Sequence, residues 1–312
     1  MTTSRAIAYC FDRNFAPYAA VSTYSLLAGM ASAPAIYWLV PAADAEQVAP
    51  VLVGLKRQTG HDLRLLSAPA GAFAGWDTQL HLSSAAYLRL LLPDLIAVDR
   101  LLYIDCDTLV LGDLGELFTL DLRGNLLAAA LQRLNPGKRL FSKIPRAEND
   151  PNINSGVMVL DLQPLRDVGF LHACEQIYLR HRKDIVFADQ CIINKFAENR
   201  KLVLDDRWNH QIFSNATLNA DFRQRLDQGD MRVLHYVGAV KPWQRLCNPA
   251  VAAPWWQYAR QLGFLNITPL KMSNIRQAIS LANCYDLNGL YKEASMLKGQ
   301  IIELVKRRPT ET

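Results

Sequence analysis

Short apolar runs separated by amphipathic stretches set the rhythm of the first hundred residues. Ala6–Cys10, Ile36–Val40, Leu63–Leu66 and Leu101–Ile104 are each short enough and apolar enough for a strand buried on both faces. Helical spacing fills the gaps. Val21, Tyr24 and Ala28 share one face, Ala45–Thr59 is amphipathic, and Ser83 or Ser84 is placed to cap a helix carrying Tyr87 and Leu91. The second half predicts strands at Leu127–Leu131, Val157–Leu160, Leu202–Leu204 and Arg232–His235, with helices around Pro164–Arg180 and Asp189–Phe196. This alternation predicts an open α/β sheet with ligands at the carboxyl ends of its strands, extending to about residue 250. Farther on, Leu290, Ala294, Leu297, Ile301 and Leu304 recur every three or four residues, in a helical tail that ends in Lys306, Arg307 and Arg308.

Composition narrows the class. Of 312 residues half are apolar and 20% charged, which excludes disordered, collagen-like and disulfide-stapled chains. The 34 basic and 29 acidic residues are too evenly dispersed to point to nucleic acid. The six cysteines form no C-x-x-C pair and stand at no zinc-finger spacing, so free thiols in a reducing compartment are expected. Asp12 and Arg13 interrupt any signal-type apolar run, and Leu82–Val98 contains Arg89, Pro93 and Asp94, a poor membrane span. A cytoplasmic protein is the expectation.

No two of the sixteen glycines are separated by a single residue and no G-K-[ST] occurs, which removes the common phosphate-cradling loops. The strongest chemical signal is Leu101-Leu102-Tyr103-Ile104-Asp105-Cys106-Asp107-Thr108. Residues i and i+2 on extended backbone point the same way, so Asp105 and Asp107 can offer two hard oxygens to Mn²⁺ or Mg²⁺ at a strand end. The plain alternative is a solvated turn. His235-Tyr236-Val237-Gly238-Ala239-Val240-Lys241-Pro242-Trp243 then supplies an imidazole, a glycine open to close approach and a lysine suited to phosphate. Each is commonplace alone.

With these motifs the chain resembles the retaining family 8 glycosyltransferases, the group of glycogenin and the bacterial lipooligosaccharide galactosyl- and glucosyltransferases. The resemblance also rests on Asp12-Arg13-Asn14-Phe15, on His81-Leu82-Ser83 through Tyr87-Leu88-Arg89, on Asn154-Ser155-Gly156 and on Asp189-Gln190, and it covers about residues 5–265. It implies a GT-A fold, a Rossmann-like nucleotide-diphospho-sugar transferase domain over 1–265, with a helical extension over 266–312. It implies a UDP-hexose donor bound through Mn²⁺ (or Mg²⁺) and sugar transfer with retained configuration. Asp12 and Asn14 match uridine contacts, and Phe15 a ring that stacks on uracil. Asp105, Asp107 and His235 match metal ligands. Arg89, Gly238 and Lys241 match the surroundings of the diphosphate and donor, Asn154 and Asp189 match hexose contacts, and Gln190 matches the group nearest the reacting carbon. An amide there favours a short-lived ion pair with same-face attack over double displacement, with Asp189 kept as a candidate nucleophile.

His81 matches an acceptor-side position, whereas Gln132 stands where galactosyltransferase relatives can carry aspartate and Val237 replaces a frequent cysteine. The acceptor implied by family analogy is a carbohydrate on a lipid-linked surface glycan of the lipopolysaccharide type, with galactose or glucose as the sugar. Residues 270–312 carry seven Lys or Arg against four Asp or Glu. Two placements of this tail fit equally: on an anionic membrane, making the enzyme peripheral at its inner face, or against the protein's own core. Two other functions compete. The D-x-D-x-T pattern of Asp105 to Thr108, with Asp205-Asp206, also suits a haloacid dehalogenase-like phosphatase, and a nucleotide-sugar-binding protein without turnover uses the same binding residues.

Overall fold

The computed structural model describes residues 4–77, 83–133 and 143–268, except 215, 217, 239 and 246, together with isolated positions beyond 268. The chain divides into two compact units, Met1–Gln211 with Met231–His235, and Ile212–Asp230 with Tyr236–Thr312.

The first unit is built on seven strands: β1 (Arg5–Cys10), β2 (Ile36–Val40), β3 (Leu63–Ser67), β4 (Arg100–Ile104), β6 (Leu127–Leu131), β7 (Ile153–Asp161) and β8 (Lys201–Leu204). They lie in the order β3-β2-β1-β4-β7-β6-β8. The first four are parallel, β7 runs antiparallel to both its neighbours, and β8 is parallel to β6. Strands β1, β2 and β4 are buried almost throughout because helices cover them, whereas β3, at the sheet edge, exposes Arg64 and Ser67 and so is not the strand buried on both faces that its apolar run predicts. The helices are α1 (Ala16–Gly29), α2 (Ala45–Thr59), α3 (Leu92–Leu95), α4 (Leu162–Asp167), α5 (Phe170–His181) and α6 (Ala188–Phe196). Gly60, at φ +67°, ends α2 in a conformation that costs other residues strain.

Three departures from the periodicity have local causes. First, α1 buries Ser22 and Ser25 beside Val21 and leaves Ala28 exposed, so the predicted face is not the packed one. The hydroxyls have a purpose: Ser25 Oγ accepts from the Val110 backbone N–H at 2.9 Å and Ser22 Oγ meets Thr108 Oγ1 at 2.8 Å. They satisfy β5 (Thr108–Val110), a strand too short to show a period. Second, the predicted 164–180 helix is two helices, divided where Gly169 takes φ +64°. Third, the segment after Ser83 is a 3₁₀ helix over Ser84–Leu91, and Ser83 makes no side-chain cap. Strand β7 also begins four residues before the predicted start and so takes in Asn154–Gly156.

Beyond β8 come β9 (His210–Phe213) and β10 (Val233–Val237). Antiparallel pairing of β5 with β10 puts His235 opposite Thr108. In the second unit, α7 (Ala220–Asp227) is capped by Asn219, and α8 (Pro249–Ala259) by Asn248. Trp243 packs on Trp255, and the Trp256 indole donates to the Pro242 carbonyl. Of the predicted tail, Leu290, Ala294, Leu297 and Leu304 lie outside the described residues. Among the described residues no helix is long and apolar enough to cross a membrane, and the five cysteines described as free thiols are buried.

Candidate active site

Strand order reverses at β1: the chain runs outward through β2 and β3, then returns to lay β4 on the other side. Such a switch point opens a crevice at the strands' carboxyl ends. Asp12 follows β1 and Asp105 follows β4, so two motifs far apart in sequence meet the same edge of the sheet. The antiparallel β7 delivers a third. Its Val157 is in register with Ile104, and the Asp105 N–H donates to the Gly156 carbonyl at 2.8 Å.

Asp105, Asp107 and His235 form one cluster, each offering a ligand atom within 4.8 Å of the others. His235 Nε2 lies 3.2 Å from Asp107 Oδ1 and 3.8 Å from Asp105 Oδ2. The turn carrying the aspartates is fixed from beneath by Thr108, whose hydroxyl donates to the Asp105 carbonyl at 2.8 Å. Two carboxylates and one imidazole are a donor set for a hard or borderline divalent cation. The backbone is shaped to admit this cluster: a Cβ on Gly156 would stand 2.2 Å from His235 Cε1 and 2.7 Å from Asp105 Oδ2. These residues fit the implied metal.

Arg89 ties this cluster to a second carboxylate. Buried on the 3₁₀ helix, it pairs through Nη2 with Asp105 Oδ1 at 2.9 Å and through Nε with Asp189 Oδ2 at 3.1 Å. Its Nη1 donates to the Ser155 carbonyl at 2.8 Å, and the guanidinium lies 4.3 Å from the centre of the Tyr103 ring. Arg89 therefore does not sit on a helix surface. Burial opposes its charge, but Asp105 and Asp189 outweigh that and raise its pKa. Tyr103 donates to Asp105 Oδ1 at 2.6 Å, leaving Oδ2 as the oxygen nearer His235. Asp189 also accepts from Ser155 Oγ at 3.0 Å. Burial nonetheless pushes the Asp189 carboxyl up to about 6; Arg89 resists this and the charge of Asp105 adds to it.

Asp189 and Gln190 lie in the first turn of α6, directly after its first residue, Ala188, which holds φ +41° although it carries a Cβ. Strain of this kind collects where side-chain direction matters more than stability. Gln190 Oε1 accepts from Asn154 Nδ2 and from the Ser155 N–H, each at 3.2 Å. Gln132 Oε1 accepts from Asn154 Nδ2 at 2.8 Å. One turn on, Asn194 clamps the Ile153 backbone at both N–H and C=O, 2.9 Å each, holding α6 against the start of β7.

At the end of β1 the Asp12 carboxylate accepts from the Asn14 N–H at 2.9 Å, capping the 3₁₀ turn Arg13–Phe15. Asn14 is exposed, and Phe15 meets Tyr18 edge-on at 5.9 Å. In the second unit Gly238 takes φ +89°, and Lys241, buried, donates to the Tyr236 carbonyl at 2.7 Å. His81 lies outside the described residues.

Sequence motifs thus supplied most of the cluster. Asn209 was missed: fully buried, it touches both His235 Nδ1 at 2.9 Å and Asn154 Oδ1 at 2.8 Å. The available signal was no more than a polar residue between Trp208 and the half-polar run His210-Gln211-Ile212-Phe213. Tyr103 was passed over because it reads as a core residue. Asp205, enlisted for the phosphatase alternative, accepts from the Arg207 N–H at 2.9 Å as a local cap.

Known proteins give this arrangement a context. Residues 6–247 match glycosyl transferase family 8. Glycosyltransferase GlyF of Streptococcus pneumoniae is 25% identical over 186 residues, 60% of this chain and 44% of that protein. Lipopolysaccharide 1,2-glucosyltransferase of Escherichia coli is 28% identical over 177 residues, 52% of this chain and 50% of that one. The chain spans about half the length of these curated relatives, or somewhat less. Among solved structures, galactosyltransferase LgtC in complex with donor and acceptor sugar analogs superposes with a TM-score of 0.69 at 25% identity, over 85% of this chain and 97% of that one. The fold is accordingly GT-A, and the phosphatase alternative has no support left. With more than half its length matched, the chain belongs to glycosyltransferase family 8.

Proposed function

We propose that the protein transfers galactose or glucose from a UDP-hexose to a hydroxyl of a surface glycan acceptor of the lipopolysaccharide type, with retained anomeric configuration, and that residues 1–265 carry this activity. The observation that supports it most is the joining of the Asp105, Asp107 and His235 cluster, through Arg89, to a buried Asp189 and, through Ser155, to Gln190. The relatives include one named for lipopolysaccharide glucosylation and a galactosyltransferase solved with sugar analogs, which favours these two hexoses and a saccharide acceptor.

Asp105, Asp107 and His235 would hold Mn²⁺ or Mg²⁺, which when bound supplies positive charge for a departing diphosphate. The remaining work falls to the chain. Arg89 holds Asp105 and Asp189 at fixed directions and is itself fixed by the Ser155 carbonyl. Asp189, with Oδ2 occupied by Arg89 and Ser155, is better placed to orient sugar hydroxyls than to attack carbon. Asn154 and Gln190 offer amide dipoles already oriented by other donors, which favours stabilisation of positive charge at the anomeric carbon. The bond from that carbon to the diphosphate oxygen breaks, the acceptor oxygen bonds on the same face, and its proton passes to the departing phosphate oxygen. Asp12, Asn14 and Phe15 are assigned to uridine, Gly238 and Lys241 to the donor diphosphate, and His81 and Gln132 to the acceptor side. We place the enzyme in the cytoplasm, where its free thiols stay reduced and UDP-sugars are to hand.

The test is metal-dependent hydrolysis of a UDP-sugar panel, which reads donor choice without knowledge of the acceptor. Asp105→Asn, Asp107→Asn and His235→Ala should each lower turnover about 100-fold or more at limiting Mn²⁺. Undiminished turnover in all three would overturn the reading.

A further inference from the structure

Asn209 belongs to neither motif, yet it stands between the metal cluster and the sugar-side amides, and the direction of its own amide follows from one backbone group. The Gly156 N–H can only donate, and it meets the Asn154 side chain at 2.9 Å, so that atom is Oδ1. The same oxygen lies 2.8 Å from the Asn209 amide, which must present Nδ2 to it. Asn209 Oδ1 is then the atom 2.9 Å from His235 Nδ1, and an oxygen can only accept. His235 Nδ1 therefore carries hydrogen, and in the neutral ring the lone pair belongs to Nε2, the nitrogen facing Asp107 and Asp105.

We infer that Asn209 is a positioning residue that fixes the His235 tautomer for metal binding and, through its other end, the direction of the Asn154 amide. The inference rests on the proposed metal-dependent transfer. It extends in the other direction by the same logic: with Asn154 Oδ1 doubly engaged, its Nδ2 faces Gln190 Oε1 and Gln132 Oε1, so one polarity runs from the imidazole to both amides. Asn209 has no exposure to solvent, so water does not compete for either bond. Partners of this kind on the far nitrogen of a ligating histidine typically change metal affinity 10- to 100-fold when removed.

The experiment uses the full chain and two variants that separate the two ends of the amide. Asn209→Leu removes both bonds; Asn209→Asp keeps an acceptor for His235 Nδ1 but turns an oxygen toward Asn154 Oδ1. Mn²⁺ affinity is measured by titration calorimetry, and the His235 tautomer by nitrogen-15 NMR of the metal-free protein at mildly alkaline pH, its signal assigned by loss in His235→Gln. Asn209→Leu should weaken Mn²⁺ about 10- to 100-fold and lose the Nδ1-protonated preference. Asn209→Asp should keep both within about threefold of the native protein, yet lower kcat about 10-fold or more at saturating Mn²⁺. Native Mn²⁺ affinity and tautomer in a folded Asn209→Leu would overturn the inference. Should that variant not fold, Asn209→Asp decides alone: weakened Mn²⁺ with unchanged kcat would overturn it. Neither affinity nor tautomer requires a sugar donor, so a protein that turns over no UDP-sugar but shows the expected Mn²⁺ affinities and tautomers in the two variants sinks the transfer reading and leaves the role of Asn209 at His235 standing.

Discussion

Among the described residues of the first unit, the buried ionic clusters around Asp150 and around Arg89 are balanced in opposite ways. Around Asp150, two cations serve one carboxylate: Lys201 bonds both its oxygens, Arg146 bonds Oδ2 at 2.6 Å, and the Asn199 N–H adds a bond to Oδ1 at 2.9 Å. Lys201 spends further hydrogens on the Asn194 and Ala197 carbonyls. Around Arg89, one guanidinium serves two carboxylates. The titration directions follow. Burial pushes against the Asp150 charge, but its hydrogen bonds and cations leave the pKa below the ordinary carboxylate value, while Asp189 is driven up to about 6. A cluster with its charge satisfied from within joins parts of the fold; one with carboxylate in excess is built to receive a cation or a polar ligand.

The largest effect on stability should come from opening the satisfied cluster. Lys201→Met leaves Asp150 with Arg146 alone in a buried place and should cost about 3 kcal/mol in urea unfolding at neutral pH. Adding Asp150→Asn to it should recover much of that loss, because the uncompensated charge is gone. A double variant as unstable as the single would show that packing, not charge, holds this cluster. Asp150, with its pKa lowered, contributes stability above the unfolded carboxylate pKa, and that stability fades as pH falls through the folded value.

Gln190→Ala at the other cluster should cost about 1–2 kcal/mol in unfolding, because the buried Ser155 N–H loses its acceptor, and lower turnover roughly 10- to 1,000-fold, about 1.4–4 kcal/mol of barrier. Weaker donor binding at unchanged turnover would assign Gln190 to recognition only.

What the sequence made legible divides along the same line. Asp105, Asp107 and His235 were readable because their chemistry is local, paired carboxylates and an imidazole at strand ends, whereas the Asp189-Gln190 pair was readable only by resemblance. Arg89 was readable by resemblance, but its burial between two carboxylates depends on a 3₁₀ helix where the spacing of Tyr87 and Leu91 predicts an α-helix. Asn209 and Lys201 were not readable. Each is one polar residue whose partners are 26 to 55 positions away, at His235, Asn154 and Asp150, and no period connects them. The parallel strands were clear from apolar runs, whereas β5 and β9 have three and four residues, too few to show a period, and β5 is held by its pairing and by the Ser22 and Ser25 hydroxyls.

Asp189→Asn sharpens the comparison through pH. The folded pKa of Asp189, about 6, lies above the ordinary carboxylate value of 3.8, so the folded state takes up a proton first. Its favourable contribution is complete below the unfolded pKa and is lost as pH rises through 6. Near neutrality the native carboxylate therefore costs on the order of 2–3 kcal/mol, which the amide avoids. Unfolding measured across this range should show the amide variant more stable than the native chain at about pH 7.5 and little different from it at about pH 4. Turnover of the native enzyme should fall as pH drops through 6 if Asp189 orients the sugar as a carboxylate. An equal gain at both pH values would remove the ionisation argument.

The smallest effect concerns backbone rather than charge. Ala188, at φ +41°, bears strain of about 1–2 kcal/mol from its Cβ. Ala188→Gly relieves it, while freeing the unfolded chain by about 0.5–1 kcal/mol and forfeiting a buried methyl worth up to about 0.8 kcal/mol. These nearly cancel, so the variant should stay within about 0.5 kcal/mol of the native protein. Ala20, equally buried inside α1, has ordinary helical backbone and no strain to relieve. There the same substitution loses both entropy and methyl, about 1.3–1.8 kcal/mol. Urea unfolding of the two glycine variants side by side reads the difference directly. If Ala188→Gly is as damaging as Ala20→Gly, then Ala188 holds no strain and Asp189 and Gln190 are aimed by their hydrogen bonds alone.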